Sequence, residues 1–240
     1  MRVALIGYGK MGHTIESILL ERGHTISYKV SIDNTETIHQ INLDNTDVCI
    51  EFTHPGVAFD YIRLLSDSGL PVVCGTTGWY DRLEEAKAIV LKNNTALVVA
   101  SNFSIGVNLF FEAARDLARL MHGQDYTIRI NESHHIEKKD APSGTAITLS
   151  EEVRGVYNEY SGYQLNRDSD PSLLPIFASR IADVPGTHEL IFKSGVDEIV
   201  LQHVAFNRQG FALGAVVAAE YIWDKKGIFS IRDILMSVKA

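Results

Sequence analysis

Long apolar runs are missing from this chain. No stretch approaches the ~18 residues that a membrane-spanning helix needs, so no membrane partner is expected. Basic clusters are missing as well. The formal net charge is −8, from 30 acidic against 22 basic residues, and no extended basic run occurs, which argues against nucleic acid as a partner. Cysteine is scarce: Cys49 in DVCIEF and Cys74 in PVVCGTT both lie inside apolar strand-like runs and read as buried, inert thiols, so neither a metal nor a redox role is expected. No secretory signal is legible where MRVALIGYGKMG runs from a short apolar strand straight into glycines, and a cytoplasmic location follows as the expectation. Internal repeats and low-complexity segments are also absent. What is present is a chain of 240 residues, 45% hydrophobic and 22% charged, enough to bury a core in one large or two smaller domains.

Strand and helix patterns alternate through the first hundred residues. Val3–Ile6, Thr25–Val30, Val48–Phe52, PVVC (71–74) and ALVVA (96–100) read as strands. Helical patterns fall between them, over 12–22, 56–66 and 81–92. The strands are short and apolar on both faces, as strands of a parallel sheet are, and the repeated strand–helix–strand order implies right-handed crossovers in a doubly wound sheet. After Phe103 the pattern changes. A long helix (107–121) precedes the alternating strand YTIRINES, a helix is expected from Ser143 to Tyr160, and 161–175 reads as polar and turn-rich. Strands are expected at 176–184, 188–193 and 198–206, then helix to the end. The predicted fold is therefore α/β: a Rossmann-like parallel sheet over 1–103, with helices of 211–240 packing back on it. A second α+β domain over 104–210 carries a mixed or antiparallel sheet, for substrate binding and oligomerisation.

The loop Gly7-Tyr8-Gly9-Lys10-Met11-Gly12 joins the first strand to the first helix, the context that a dinucleotide-binding G-x-G-x-x-G requires. Gly7 permits the turn, Gly9 lets the backbone approach a pyrophosphate, and Gly12 lets the helix sit close to the sheet. The N–H groups at the helix start would hold the phosphates. Asp33, 21 positions after Gly12, is the candidate for a ribose hydroxyl, while Lys10 and Lys29 are candidates for a 2′-phosphate, so NADH and NADPH both stay open. CGTTGW and ASNFS end the fourth and fifth strands, where open α/β sheets bind their ligands, and EFTHP ends the third. Small and hydroxylated residues there (Gly75, Thr76, Thr77, Ala100 and Ser101, beside Asn102 and Phe103) leave room for a nicotinamide ring and offer hydrogen bonds to its amide.

ESHHIEKKDAPSGTA (132–146) concentrates proton carriers and cations in an acidic chain. His134 and His135 are adjacent, so on an extended backbone they point to opposite sides. Pro142 ends what precedes it, and Ser143 can cap a new helix. The N–H groups of Gly144 and Thr145 would then form an anion cradle suited to a carboxylate, with Lys138 adding charge. Glu137 and Lys139 read as solvated. Proton carriers, a carboxylate cradle and a dinucleotide fold together suggest hydride transfer with a coupled protonation.

The pattern E-x-H-H-x-x-K-x-D-A-P-S-G-T-A resembles the signature of the 4-hydroxy-tetrahydrodipicolinate (dihydrodipicolinate) reductase family. GxGKMG, FTHP, GTTG, NFSxGVN and FALGAVVAA are similar to that family in order and spacing, and the likeness covers essentially the whole chain. The resemblance implies NAD(P)H-dependent reduction of a cyclic dicarboxylic imine in lysine biosynthesis, by a homotetramer. It also implies catalytic roles for His134 and Lys138, substrate contacts from His135, Gly144 and Thr145, and cofactor contacts from 7–12, 75–77 and 100–103. The chain departs from the family in a glycine loop one residue shorter than in many relatives, in Lys10 where they often carry arginine, in the lack of an acidic-basic pair after the second strand, and in an abbreviated 160–175 region. The competing readings are another two-domain amino-acid or semialdehyde dehydrogenase, which HHxxK followed by PSGT disfavours, and a non-catalytic dinucleotide sensor, which would need neither His134 nor Lys138.

Overall fold

A computed structural model describes residues 1–207 and 209–237. The chain divides into two compact units, Met1–Ile105 with the segment from Gln209 onward, and 106–208. The last three residues of the expected 211–240 helical segment lie outside the described residues.

The first unit begins with β1 (Arg2–Ile6), α1 (Lys10–Glu21) and β2 (Thr25–Val30). Val3 to Ile6 are all buried, as the continuous apolar run requires of a central strand. α1 buries Gly12, Ile15 and Leu19, a stripe at helical spacing that faces the sheet. β3 (Val48–Glu51), α2 (Pro55–Asp67), β4 (Val72–Cys74), α3 (Leu83–Lys92) and β5 (Ala96–Val99) continue the alternation, and Pro55 sits at the first turn of α2, where its missing N–H costs nothing.

The second unit opens within α4 (Ile105–Met121) and continues with β6 (Thr127–His134) and α5 (Gly144–Arg154), followed by β7 (Gly162–Leu165), β8 (Leu173–Arg180), β9 (Gly186–Lys193) and β10 (Glu198–Ala205). These five strands form one mixed sheet in the order β10-β9-β6-β8-β7. β6 lies at its centre, antiparallel to β9 and parallel to β8. Its strict alternation buries Ile128, Ile130, Glu132 and His134 on one face. Ile128 and Ile130 pack there with Val107, Phe111, Leu149 and Phe192. The strand that builds the core thus carries two polar side chains inward at its end.

Three expectations need correction here. α5 stops at Arg154 instead of Tyr160, because the Arg154 guanidinium turns back to the carbonyls of Tyr160 and Ser161 and ties down a loop. The segment read as turn-rich contains β7 and the start of β8. Buried Gln164 hides β7 from a hydrophobicity pattern, and its amide donates to the Asp170 and Leu173 carbonyls. Pro175 masked the start of β8, since proline argues against an inner strand; it stands opposite Gln164 of β7, and pairing of β8 with β6 begins one residue later.

The chain then returns to the first unit with α6 (Gln209–Ile222), β11 (Gly227–Phe229) and α7 (Ile231–Ser237). The C-terminal segment is therefore not helix throughout: β11 joins the sheet parallel to β5, giving the order β11-β5-β4-β3-β1-β2 with every pair parallel. A strand of three residues is too short for a period-2 signal to emerge. α6 lies deep in this unit, where Ala212, Ala215, Val216 and Ala219 pack with Val3, Leu5, Val48 and Phe103. Its approach is close enough that a Cβ on Gly214 would stand 1.7 Å from the Phe103 carbonyl oxygen. Gly214→Ala is expected to cost ~2 kcal/mol or more, since backbone must move to admit the methyl. Urea unfolding of the variant beside the wild type measures this, and an unchanged midpoint would show that α6 packs less tightly.

Candidate functional site

In the first unit the strand ends are joined by a buried carboxylate. Glu51, at the end of β3, is fully enclosed. It accepts hydrogen bonds from the Thr53 N–H at 2.9 Å, the Thr53 hydroxyl, the Thr76 hydroxyl at 2.8 Å and the Cys74 thiol at 2.8 Å. The Thr53 N–H also donates to the Thr76 hydroxyl at 2.8 Å. Residues after β3 and β4 are thereby locked to one another. Thr76 spends its side chain on this network, so its backbone is what remains for a ligand, while Thr77 is exposed. Burial and the neighbouring Glu51 carboxylate push the Cys74 thiol well up, and burial does the same for Cys49, which makes both inert.

The glycine loop has different requirements at each position. Gly7 has φ of +98°, and a Cβ there would fall 2.0 Å from the Phe52 carbonyl oxygen, so its absence of a side chain belongs to the fold. Gly9 has nothing within 4 Å of where a Cβ would stand. It is the N-cap of α1, with no side-chain cap and no acidic residue in the first turn, so a dinucleotide phosphate fits the open N–H groups and positive helix end there. Of the other expected cofactor residues, Tyr8 stacks on His13 and donates to Glu16, Lys10 is exposed at the start of α1, and Met11 and Ala100 pack on the core. Gly75 abuts the Phe52 ring, the Asn102 side chain accepts from the Ser104 N–H at 2.8 Å, and Ser101 is exposed. Phe103 turns its ring into the core, leaving only backbone for a ligand. Asp33 lies in an exposed turn past β2, its N–H donating to the Ser31 hydroxyl at 3.3 Å. Lys29 pairs with Glu16 at 2.5 Å.

In the second unit the alternation of β6 makes Glu132 and His134 neighbours on the buried face, and Glu132 is the residue that sequence reasoning passed over. One of its oxygens accepts the Ser143 N–H at 3.0 Å and faces the Arg180 guanidinium at 3.4 Å. The other lies 3.1 Å from His134 Nδ1 and 3.9 Å from His188 Nε2. Burial alone would raise the Glu132 pKa, but the contacts with His134 and Ser143 outweigh it and hold the group at about 2. Its stabilising effect is therefore complete above its ordinary range and lost only as pH falls toward 2. His188 is driven the other way, to about 3, chiefly by burial and then by the nearby charge of His134, so it stays neutral. Its Nε2 lies 3.2 Å from the Ser143 hydroxyl. Donor atoms of Glu132, His134 and His188 lie within 4.8 Å of one another, a spacing that would also suit a metal ion. The carboxylate charge already faces the Arg180 guanidinium.

Ser143 caps α5, accepting from the Ala146 N–H at 3.2 Å. Gly144 beside it is exposed, with open space at its Cβ position, and Thr145 follows in the first turn. His135 is half-buried just past the end of β6. The Lys138 ammonium donates to both carboxylate oxygens of Asp140, at 2.9 and 2.8 Å, and Glu137 and Lys139 are exposed as expected. The Arg180 guanidinium also donates to the Lys138 and Asp140 carbonyls, fixing the loop between β6 and α5. Arg180 and His188 are brought in by register, His134 opposite Arg180 on β8 and Glu132 opposite His188 on β9. Only Glu132 had a local signal, its two-residue offset from His134 on an alternating strand.

Residues 1–103 match the N-terminal domain of dihydrodipicolinate reductase, and residues 106–235 match its C-terminal domain. The chain is 47% identical over 236 residues to a 4-hydroxy-tetrahydrodipicolinate reductase from Christiangramia forsetii, covering 98% of both chains. It is 35% identical to the protein of that name from Methanococcus aeolicus, over 96% of this chain and 81% of that one. Among solved structures, dipicolinate-bound dihydrodipicolinate reductase from Paenisporosarcina sp. TG-14 superposes with a TM-score of 0.77 at 22% identity, covering 96% of this chain and 97% of that one.

The contrast between the two loop glycines is open to a direct check. Gly9→Ala should leave stability within ~0.5 kcal/mol of wild type, as an unhindered surface change does, yet weaken NADH and NADPH binding at least tenfold. Gly7→Ala should unfold the first unit or lower its midpoint sharply. Calorimetric titration with each dinucleotide, alongside thermal melts, separates the two, and undiminished affinity in Gly9→Ala would remove the phosphate from this loop.

Proposed function

The chain belongs to the dihydrodipicolinate reductase family, and on that premise we propose that it reduces 4-hydroxy-tetrahydrodipicolinate to tetrahydrodipicolinate in diaminopimelate and lysine biosynthesis. The substrate, a proton and NADH or NADPH become tetrahydrodipicolinate, water and the oxidised dinucleotide. The observation that carries this reading is the joining of His134, the Lys138 loop and the start of α5 through Glu132 and Arg180, in a chain 47% identical to a relative named for this activity.

When bound to the first unit, the reduced nicotinamide supplies the hydride. Gly7 to Gly12, Gly75 to Thr77 and Ala100 to Phe103 are the segments we assign to it, supported by the open Gly9 cradle. The N-terminus of α5, at Gly144 and Thr145 behind the Ser143 cap, receives one carboxylate of the substrate, and His135 and Lys138 supply further polar contacts and positive charge. Hydride addition leaves an electron-rich, enamine-like system whose adjacent carbon must gain a proton. His134, nearly enclosed and held beside a carboxylate, suits delivery of that proton, while the Lys138 ammonium neutralises substrate charge and serves as a second proton source.

The reading extends to location and assembly. We place the enzyme in the cytoplasm; both cysteines are free and buried, and no helix among the described residues is long and apolar enough to cross a membrane. We assign it a homotetramer, supported by the edge strand β10, which exposes Ile199, Val200 and Val204 where an open sheet edge invites cover. Light scattering at micromolar concentration should return four times the chain mass, and a monomer would rule this assembly out.

Oxidation of NADH or NADPH is expected only when the product of dihydrodipicolinate synthase is supplied. Removing a positioned acid typically costs ~10²–10⁴-fold, so His134→Ala and Lys138→Ala should each lower kcat at least about tenfold, and Lys139→Ala should do little. The double variant should fall well short of the product of the single losses, because both groups serve one proton transfer. Dinucleotide affinity should survive throughout. Wild-type kcat in Lys138→Ala would strike that residue from the mechanism.

A further inference from the structure

We propose that Glu132 is a positioning residue, holding His134 by Nδ1 so that Nε2 is the nitrogen that delivers the proton. This rests on the reading of His134 as the proton donor. Both side chains are enclosed: Glu132 is 1% exposed and His134 8%, so neither polar group is free to turn to bulk water. Glu132 Oε2 and His134 Nδ1 are 3.1 Å apart, and neither has a well-aligned hydrogen bond among the described residues. Two buried, unmatched polar atoms cost ~1–3 kcal/mol each, and a small rotation of the imidazole lets them satisfy one another.

Other groups around the imidazole do not compete for that contact. From β9, His188 stands edge-on to His134 with ring centroids 5.0 Å apart, but its Nε2 faces the Ser143 hydroxyl and it remains neutral. From β8, Arg180 addresses the opposite oxygen of the carboxylate. In the following loop Lys138 is paired with Asp140, and from β10 His203 acts on His188, lying on its far side from the carboxylate in the strand order. Nε2 faces the backbone of Gly186, where a Cβ would come within 3.2 Å of that nitrogen, so the imidazole keeps this place only beside a residue without a side chain.

The consequence for the chemistry is specific. In the imidazolium, the Nε2–H bond breaks as the C–H bond of the product forms, and the electron pair stays on Nε2. The neutral imidazole left behind carries its hydrogen on Nδ1, pointing at Glu132, and a proton from water restores Nε2–H. Glu132 itself neither gives nor takes a proton, in keeping with a carboxyl group held at about 2. The same carboxylate accepts the Ser143 N–H at the head of α5, so one side chain sets both the proton donor and the anion cradle.

Two measurements test this. Long-range ¹H–¹⁵N correlation on wild-type protein reports the tautomer of neutral His134, expected as Nδ1–H; an Nε2–H tautomer would overturn the proposal without any variant having to fold. The second is the pH profile of kcat/KM for Glu132→Gln. Loss of the carboxylate beside the imidazole should move the alkaline limb to lower pH and cut kcat at least about tenfold at neutral pH. Dinucleotide affinity should stay within about twofold, and Glu132→Asp, which keeps the charge, should recover most of the limb's position. A lower melting temperature with unshifted profile and kcat would make Glu132 merely structural. Absence of turnover in the wild type would instead defeat the functional reading, while the tautomer would still judge the position of Glu132.

Discussion

A carboxylate removed from water must be met by donors or positive charge, and both units are organised around one that is. Leaving a buried polar group without its partner costs ~1–3 kcal/mol, and more where it is charged, so the partners of Glu51 and Glu132 are held in place by the fold's own stability. Glu51 draws in Thr53, Cys74 and Thr76, and Glu132 draws in Ser143, His134 and Arg180. In each case the acid sits at or near the end of an inner strand, and its partners come from that strand's own exit and from the ends of its neighbours. Loops that would otherwise be free to vary are tied to the most rigid part of each unit.

This arrangement explains how a site can be built on irregular backbone without becoming loose. Function in α/β proteins gathers at loops beyond the strand ends, and such loops are mobile unless something fixes them. In the second unit Arg180 does this twice over, reaching both the carboxylate and the carbonyls of the loop that carries Lys138. In the first unit the Thr53–Thr76 contact performs the same service between the ends of β3 and β4. The apolar core supplies rigidity, and the buried acids export it to the ligand-facing segments.

Most of the parallel sheet was legible in the sequence because β1, β3, β4 and β5 are largely apolar and buried. β11 was not, since Gly227 to Phe229 are too few for a pattern. In the second unit, β7 was hidden by Gln164 at its buried position, and β8 by a proline that the local pairing tolerates. The proton carriers and the cap of α5 could be read from ESHHIEKKDAPSGTA because their chemistry is local. Arg180 and His188 could not, because what makes them part of the site is the register of β6 against β8 and β9, and register is a property of strands far apart in the chain. Glu132 stood between these cases: its alternation with His134 was visible, and its enclosure was not.

The Lys138–Asp140 pair has a consequence of its own. The ammonium is paired with a carboxylate two residues away, one that is itself mostly open to solvent. On the proposed assignment of Lys138 to the substrate, a carboxylate exchanges for Asp140 and gains only the difference between two ion pairs. Exposed pairs of this kind are worth ~0–1 kcal/mol, so the swap is close to isoenergetic in either direction. On that assignment the lysine acts as an ion-exchange site, admitting an anion that other contacts already favour and letting it leave as readily once those contacts weaken.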